Sequence, residues 1–187
     1  SPSRGLGDVY KRQLLIIISA FGFLGLHELN GVLFKLITFN DHISLIYLPA
    51  FLRLINVLIL GPLYGSLATL LGGLLLLPFQ FDLNLVEVAD VFCSVSGPLL
   101  ALGVFKLSFN REIKLTSSHD LLILSLIYSF ANALLHHLTW CLLDPNELTV
   151  PVQFFEMIFG DFAGAVIGAL IMKWAVKLPF IQKRLDL

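Results

Sequence analysis

Charge is scarce in this sequence. Asp, Glu, Lys and Arg make up 13% of its 187 residues, where a soluble domain of this size carries roughly a quarter. That shortage argues against a water-soluble globular fold. Basic residues are not in excess either, since the formal net charge is -1, so no nucleic-acid partner is expected. Only two cysteines occur, Cys93 and Cys141. Both lie in apolar stretches, form no disulfide framework and read as packing residues. Repeated ten-residue alternation of apolar and polar residues is missing, which argues against a transmembrane barrel. There is no HExxH, no nucleophile elbow and no Cys–His–Arg constellation. Ser94 and Ser129 have no evident base. No enzyme activity and no metal site are expected, and no motif names a cofactor.

What the sequence does have is apolar length. Hydrophobic residues make up 57% of the chain and the mean hydropathy is +0.89. Several runs approach the ~20 residues that cross a hydrocarbon layer as helix. Six segments emerge, at about 14–36, 43–60, 62–77, 86–107, 119–143 and 151–177. The expected fold is all-α, a polytopic membrane bundle of about six transmembrane helices. Residues 1–13, SPSRGLGDVYKRQ, differ from everything after them and resemble a translated adapter sequence. They read as a non-native or disordered leader. Residues 14–178 then form a single integral membrane domain, and 179–187 a short cytoplasmic tail.

Lys106, Arg111 and Lys114 fall between segments four and five, and Lys177, Lys183 and Arg184 follow segment six. The loops FQFDLN and LLDPNELTV carry no basic residue. The positive-inside bias therefore places both termini in the cytoplasm, and Lys35 snorkels to the outer headgroups. Pro49 lies well inside the second segment. Either it kinks a full helix, or the helix starts there and its amino end faces a cavity, as in the broken helices of transporters.

The polar residues inside these segments are the candidate site. Arg53 and Asn56 fall near mid-depth, as do Asn132 and Asp161. His27, Glu28, Asp90, His136 and Glu156 fall in the outer half. Glu87, Asp90 and Ser94 share one helix face, and Asn132, His136 and Trp140 share another. A charged group near a helix centre costs about 2.5–3.5 kcal/mol, so Arg53, Asp90 and Asp161 unpaired would cost roughly 8–10 kcal/mol. A pair of Arg53 with Asp161 or Asp90 is expected. Gly160, Gly164 and Gly168 recur every four residues and give the last helix a flat packing ridge. His137 and Trp140 are read as packing and interface residues. Gly61-Pro62 and Gly97-Pro98 hint at an internal repeat.

The stretch IYLPAFLRLINVLILGPLYGSLATLLGGLL, with the later FFEMIFGDFAGAVIGALIMKW, resembles the membrane-associated sensor domains of bacterial signalling proteins (the first MASE type). The motif residues are Leu48-Pro49, Gly61, and Gly160-Asp161 with Gly164. Phe51 stands where that family tends to have Gly, the family usually has about eight spans, and no output domain follows Leu178. The resemblance implies a free-standing sensory or ligand-binding protein of the bacterial inner membrane. It would hold an unknown small ligand or ion in an outward-facing polar pocket and act through a protein partner carrying the output. An alternative with the same helix count is a substrate-binding subunit for vitamin-type transport.

Overall fold

The computed structural model describes residues 2–34, 45–79, 84–115, 117–143 and 151–175. The regular elements among them are all helical: α1 (Pro2–Phe34), α2 (Pro49–Leu76, continued by a 3₁₀ turn at Leu77–Phe79), α3 (Leu85–Phe109), α4 (Ser118–Leu143) and α5 (Pro151–Ala175). All five are long and apolar enough to cross a membrane. Lys35, Ile43, the loops 80–83 and 144–150, Lys177, and the tail 179–187 with Lys183 and Arg184 lie outside the described residues. Residues 2–13, set apart at the sequence level, continue α1 as helix.

The segments expected as a second and a third helix are the two arms of α2. Gly61 divides them at φ 80, ψ 168, a conformation open to glycine and strained for any residue with a Cβ. Pro62 follows in the first turn of the second arm, where no amide bond is lost. The arms then fold back on one another. Asn56 Nδ2 donates to Thr69 Oγ1 at 3.3 Å, and a Cβ on Gly65 would collide with the Asn56 carbonyl. In a straight helix Asn56 and Thr69 would lie roughly 20 Å apart. Ser19 Oγ also donates to Asn56 Oδ1, tying α1 to both arms. Gly97-Pro98 makes no such break: α3 runs through it as one helix.

Pro49 begins α2 instead of kinking a longer helix. The lead-in at Tyr47 and Leu48 is not helical and lies on the glycine ridge of α5. Tyr47 N donates to Gly160 O at 3.1 Å. A Cβ on Gly164 would overlap the Tyr47 carbonyl, and one on Gly168 would overlap the Phe51 ring. Phe51, bulky where the resembling family tends to have glycine, thus fills space that Gly168 leaves open.

α2 touches α1, α3 and α5, and α4 packs between α3 and α5. The core cluster is small and mixed: Ala50 and Leu54 from α2, Ala101 and Phe105 from α3, Leu124 and Tyr128 from α4. Large apolar side chains such as Ile17, Phe21, Leu63, Leu107, Phe130 and Phe159 face outward. Arg53, Asn56, Asn132, His136 and Asp161 face inward. That inversion suits a lipid surround, since a soluble monomer rarely exposes large contiguous apolar area. At the α3–α4 turn, Arg111 bonds Asp120 through both guanidinium arms, at 2.5 and 2.9 Å. That contact raises the Arg111 pKa further above its ordinary value.

Gly164→Ala should lower stability by about 1–3 kcal/mol, the usual range for overpacking, as read by thermal unfolding in detergent. Gly103→Ala, inside α3 where a Cβ meets nothing within 4 Å, should hold or slightly raise the melting temperature, since alanine favours helix over glycine by about 0.5–1 kcal/mol.

Candidate functional site

The site begins with backbone chemistry. An unwound segment inside an apolar bundle survives only if its amides find partners. Tyr47 N bonds Gly160 O at 3.1 Å, and Leu48 N bonds Asn30 Oδ1 at 2.8 Å. Pro49 has no amide hydrogen, and the amides of Ala50 and Phe51 turn back to the carbonyls of Tyr47 and Leu48 at 3.1 Å. The amino end of α2 is therefore satisfied by protein, and its amides do not present themselves to a cavity.

One turn further in is Arg53, 6% exposed. Its Nη2 donates to Tyr47 Oη at 3.1 Å. The guanidinium carbon lies 5.0 Å from the Tyr47 ring centroid and 5.4 Å from that of Phe23. Cation–π contact with two rings supplies about 0.5–2 kcal/mol each, most where water is excluded. His27 Nδ1 lies 3.4 Å from the same Tyr47 hydroxyl. That hydroxyl can accept from Arg53 while donating to His27, if His27 carries its proton on Nε2. Among the described residues, Arg53 Nε and Nη1 have no partner in good hydrogen-bond geometry. The Tyr128 hydroxyl is close enough to the guanidinium for a loose, charge-assisted contact, though not in good hydrogen-bond geometry.

The expected ion pair of Arg53 with Asp161 or Asp90 is not formed; among the described residues no carboxylate lies within 4.0 Å of Arg53. The reason is that each acid is held by its own neighbours on α4. Asp161, 2% exposed, accepts from Asn132 Nδ2 at 2.7 Å and acts on Arg53 only through space. Asn132 is admitted there by Gly97, where a Cβ would lie 2.8 Å from Asn132 Oδ1. That oxygen is buried without a partner. Asp90 Oδ1 is bonded to His136 Nδ1 at 2.8 Å and accepts from Trp140 Nε1 at 2.9 Å. Beside it, Cys93 Sγ lies 3.1 Å from Thr139 Oγ1.

The expected α4 face is therefore present, with Asn132, His136 and Trp140 all buried. On α3, Ser94 is buried and Asp90 is partly exposed. His137 is buried against the rings of Trp140 and Phe154. Asn56 belongs to the α1–α2 tie and makes no bond to Arg53. Glu28 is exposed, and Glu156 is half-buried. Among the described residues, neither is joined to the Arg53, Asp161 or Asp90 groups by a hydrogen bond or ion pair. Sequence reasoning placed Asn30 beside His27 and Glu28 in the outer half of the first helix, and missed Tyr47, Tyr128, Cys93 and Thr139 as site residues. Tyr128 had a signal, because it precedes Asn132 by four residues and extends the same helix face. Asn30 lies three residues after His27, also on one face. Tyr47 had none, since its position depends on a break in the helix.

Tyr47→Phe removes the acceptor that bonds Arg53 in good geometry among the described residues. Stability should fall by about 1.5–3 kcal/mol, the range for a hydrogen bond to a charged group. Chemical unfolding of the purified protein would measure this, with Tyr10→Phe, an exposed position, as the neutral control.

No protein-family model, no curated protein and no solved structure matches this chain.

Proposed function

We propose that this chain is a multi-pass protein of the bacterial inner membrane that binds a small ligand beside Arg53 and reports its occupancy to a protein partner. The observation that carries the reading is the Arg53 guanidinium. It is buried, with two nitrogens that no group among the described residues satisfies in good geometry. An unmade bond to a buried charge costs more than it does for a neutral group, and a ligand with acceptor oxygens would supply the missing partner.

Contacts along the bundle support a consistent topology. Arg12 lies over the Tyr64 ring, Leu54 joins Phe105 and Leu124, and Lys173 Nζ donates to Ser118 Oγ at 3.1 Å. These contacts gather the start of α1, the Gly61 turn, the end of α3, the start of α4 and the end of α5 at one end. Lys106, Arg111, Lys114 and Lys173 lie there, which the positive-inside bias assigns to the cytoplasm. The two arms of α2 then run in opposite directions as the second and third of six segments; the first arm, about 18 Å of helix, reaches the outer side only with the lead-in before Pro49. Both termini are cytoplasmic, and the Asp90–His136 pair lies toward the outside.

The resemblance to the first MASE type gains support from geometry. Its two motif halves lie far apart in sequence, yet Tyr47-Leu48 rests against Gly160 and Gly164. Arg53 sits one turn beyond that contact, so a ligand there bears on the α2–α5 packing directly. It acts as a signal only through unequal affinity for two packings of that interface.

Native mass spectrometry of protein extracted in mild detergent should show a small-molecule adduct that Arg53→Gln lacks and Arg12→Gln keeps. Arg53→Met retains the alkyl packing and removes the donors. If it melts below wild type yet keeps any adduct, Arg53 is a lock between α1 and α2 and the reading fails. Vitamin uptake by cells expressing the chain, abolished by Arg53→Gln, would assign the site to transport instead. Asp161→Asn should lower the melting temperature or the partner's response. If both are unchanged, Asp161 leaves the site.

A further inference from the structure

We infer that Asp90, Cys93 and His136 form a binding site for a divalent transition ion of the zinc class, separate from the Arg53 centre. Cysteine, histidine and aspartate each offer one ligand atom here, and the three atoms lie within 4.8 Å of one another. Asp90 and Cys93 stand three residues apart on α3, so one face presents both. His136 comes from α4, as in metal sites built between facing helices of a bundle. The sequence reading missed the group because it assigned Cys93 to packing and sought metal ligands in longer motifs.

Elementary geometry favours the assignment. Zinc takes thiolate at about 2.3 Å and imidazole or carboxylate at about 2.0–2.2 Å, so tetrahedral ligand atoms lie roughly 3.4–3.7 Å apart. His136 Nδ1 and Asp90 Oδ1 are now 2.8 Å apart and would open by roughly half an ångström. The sulfur would close by no more than about 1 Å. Rotamer adjustments of that size need no helix movement. The ion would take the place of the proton shared by His136 and Asp90, and the Cys93 thiol would lose its proton on binding.

Charge balance favours it too. One thiolate, one carboxylate and one neutral imidazole around a dication give a complex with no net charge. A neutral complex avoids most of the cost of burying charge away from water. Trp140 Nε1, 2.9 Å from Asp90, would fix the carboxylate, as outer hydrogen bonds commonly do around metal ligands. The Asp90 side chain is 16% exposed, so the ligand set is not sealed inside the bundle, and a fourth ligand from outside the protein would complete the coordination. The thiolate–imidazole set favours zinc, cobalt or copper over magnesium or calcium.

The test uses the full chain in detergent, stripped with chelator and titrated with cobalt(II) and then zinc. One equivalent of cobalt should produce a thiolate-to-metal band in the near ultraviolet, with tetrahedral bands in the visible, and zinc should displace both. Cys93→Ser should lose the near-ultraviolet band, while Cys141→Ser keeps it. Asp90→Asn keeps the shape and an acceptor for Trp140, and should weaken cobalt binding by more than about tenfold. Circular dichroism shows whether each variant is folded. Absence of the band in wild type, or its persistence in Cys93→Ser, overturns the site. If Cys93→Ser does not fold, unweakened binding by Asp90→Asn overturns it.

Discussion

The packing of Tyr47 and Leu48 on the glycine ridge of α5 is the constraint from which the rest follows. It holds a non-helical stretch inside an apolar bundle, and Pro49 can therefore begin a helix there. Every amide of that stretch is matched, by Gly160, by Asn30 or by the chain's own next turn. Without the glycines the backbone of Tyr47 could not approach α5, since any Cβ at Gly164 would overlap its carbonyl. Arg53 is buried because it lies four residues beyond this anchored start. Gly61 then turns the chain back, and the second arm closes over the first at Gly65 and Thr69.

Buried charge is managed here by distribution and not by direct pairing. Arg53 is met by aromatic faces and a phenol, Asp161 by an amide, and Asp90 by an imidazole and an indole. Three of those partners, Asn132, His136 and Trp140, come from one face of α4. Burying a charge without compensation costs several kcal/mol. Breaking the load into hydrogen-bonded groups leaves each group a local partner, and leaves Arg53 with donor capacity to spare. That spare capacity and the cluster of Asp90, Cys93 and His136 are two chemically open features among the described residues.

Much of this was legible in the sequence, and the reasons are specific. Apolar length gave membrane helices, because nothing else about these runs could be stable in lipid. Four-residue spacing gave the α4 face and the glycine ridge, because helical periodicity is local. Gly61-Pro62 marked the place where α2 breaks, but Gly97-Pro98 looked the same and did not break. The difference lies in partners: Gly97 is a close-packing position against Asn132, while Gly61 adopts a positive φ with nothing near it. The Arg53 pairing was misjudged for a similar reason. Opposite charges at like depth suggest a bond, but side-chain direction around two helices decides it, and that depends on packing no single segment records. Tyr47 and Cys93 were invisible for the same cause.

The account rests on α2 starting against α5, and cysteine cross-linking in native membranes tests that most directly. With Cys93 and Cys141 replaced by serine, Phe51→Cys paired with Gly168→Cys should form an intramolecular disulfide on mild oxidation: their Cβ positions are closer than a disulfide spans, and parting by about 1 Å brings them to the about 3.5–4.5 Å it needs. Phe51→Cys paired with Gly103→Cys should not. Failure of the first pair to cross-link in folded protein would contradict the arrangement and the placement of Arg53 that follows from it.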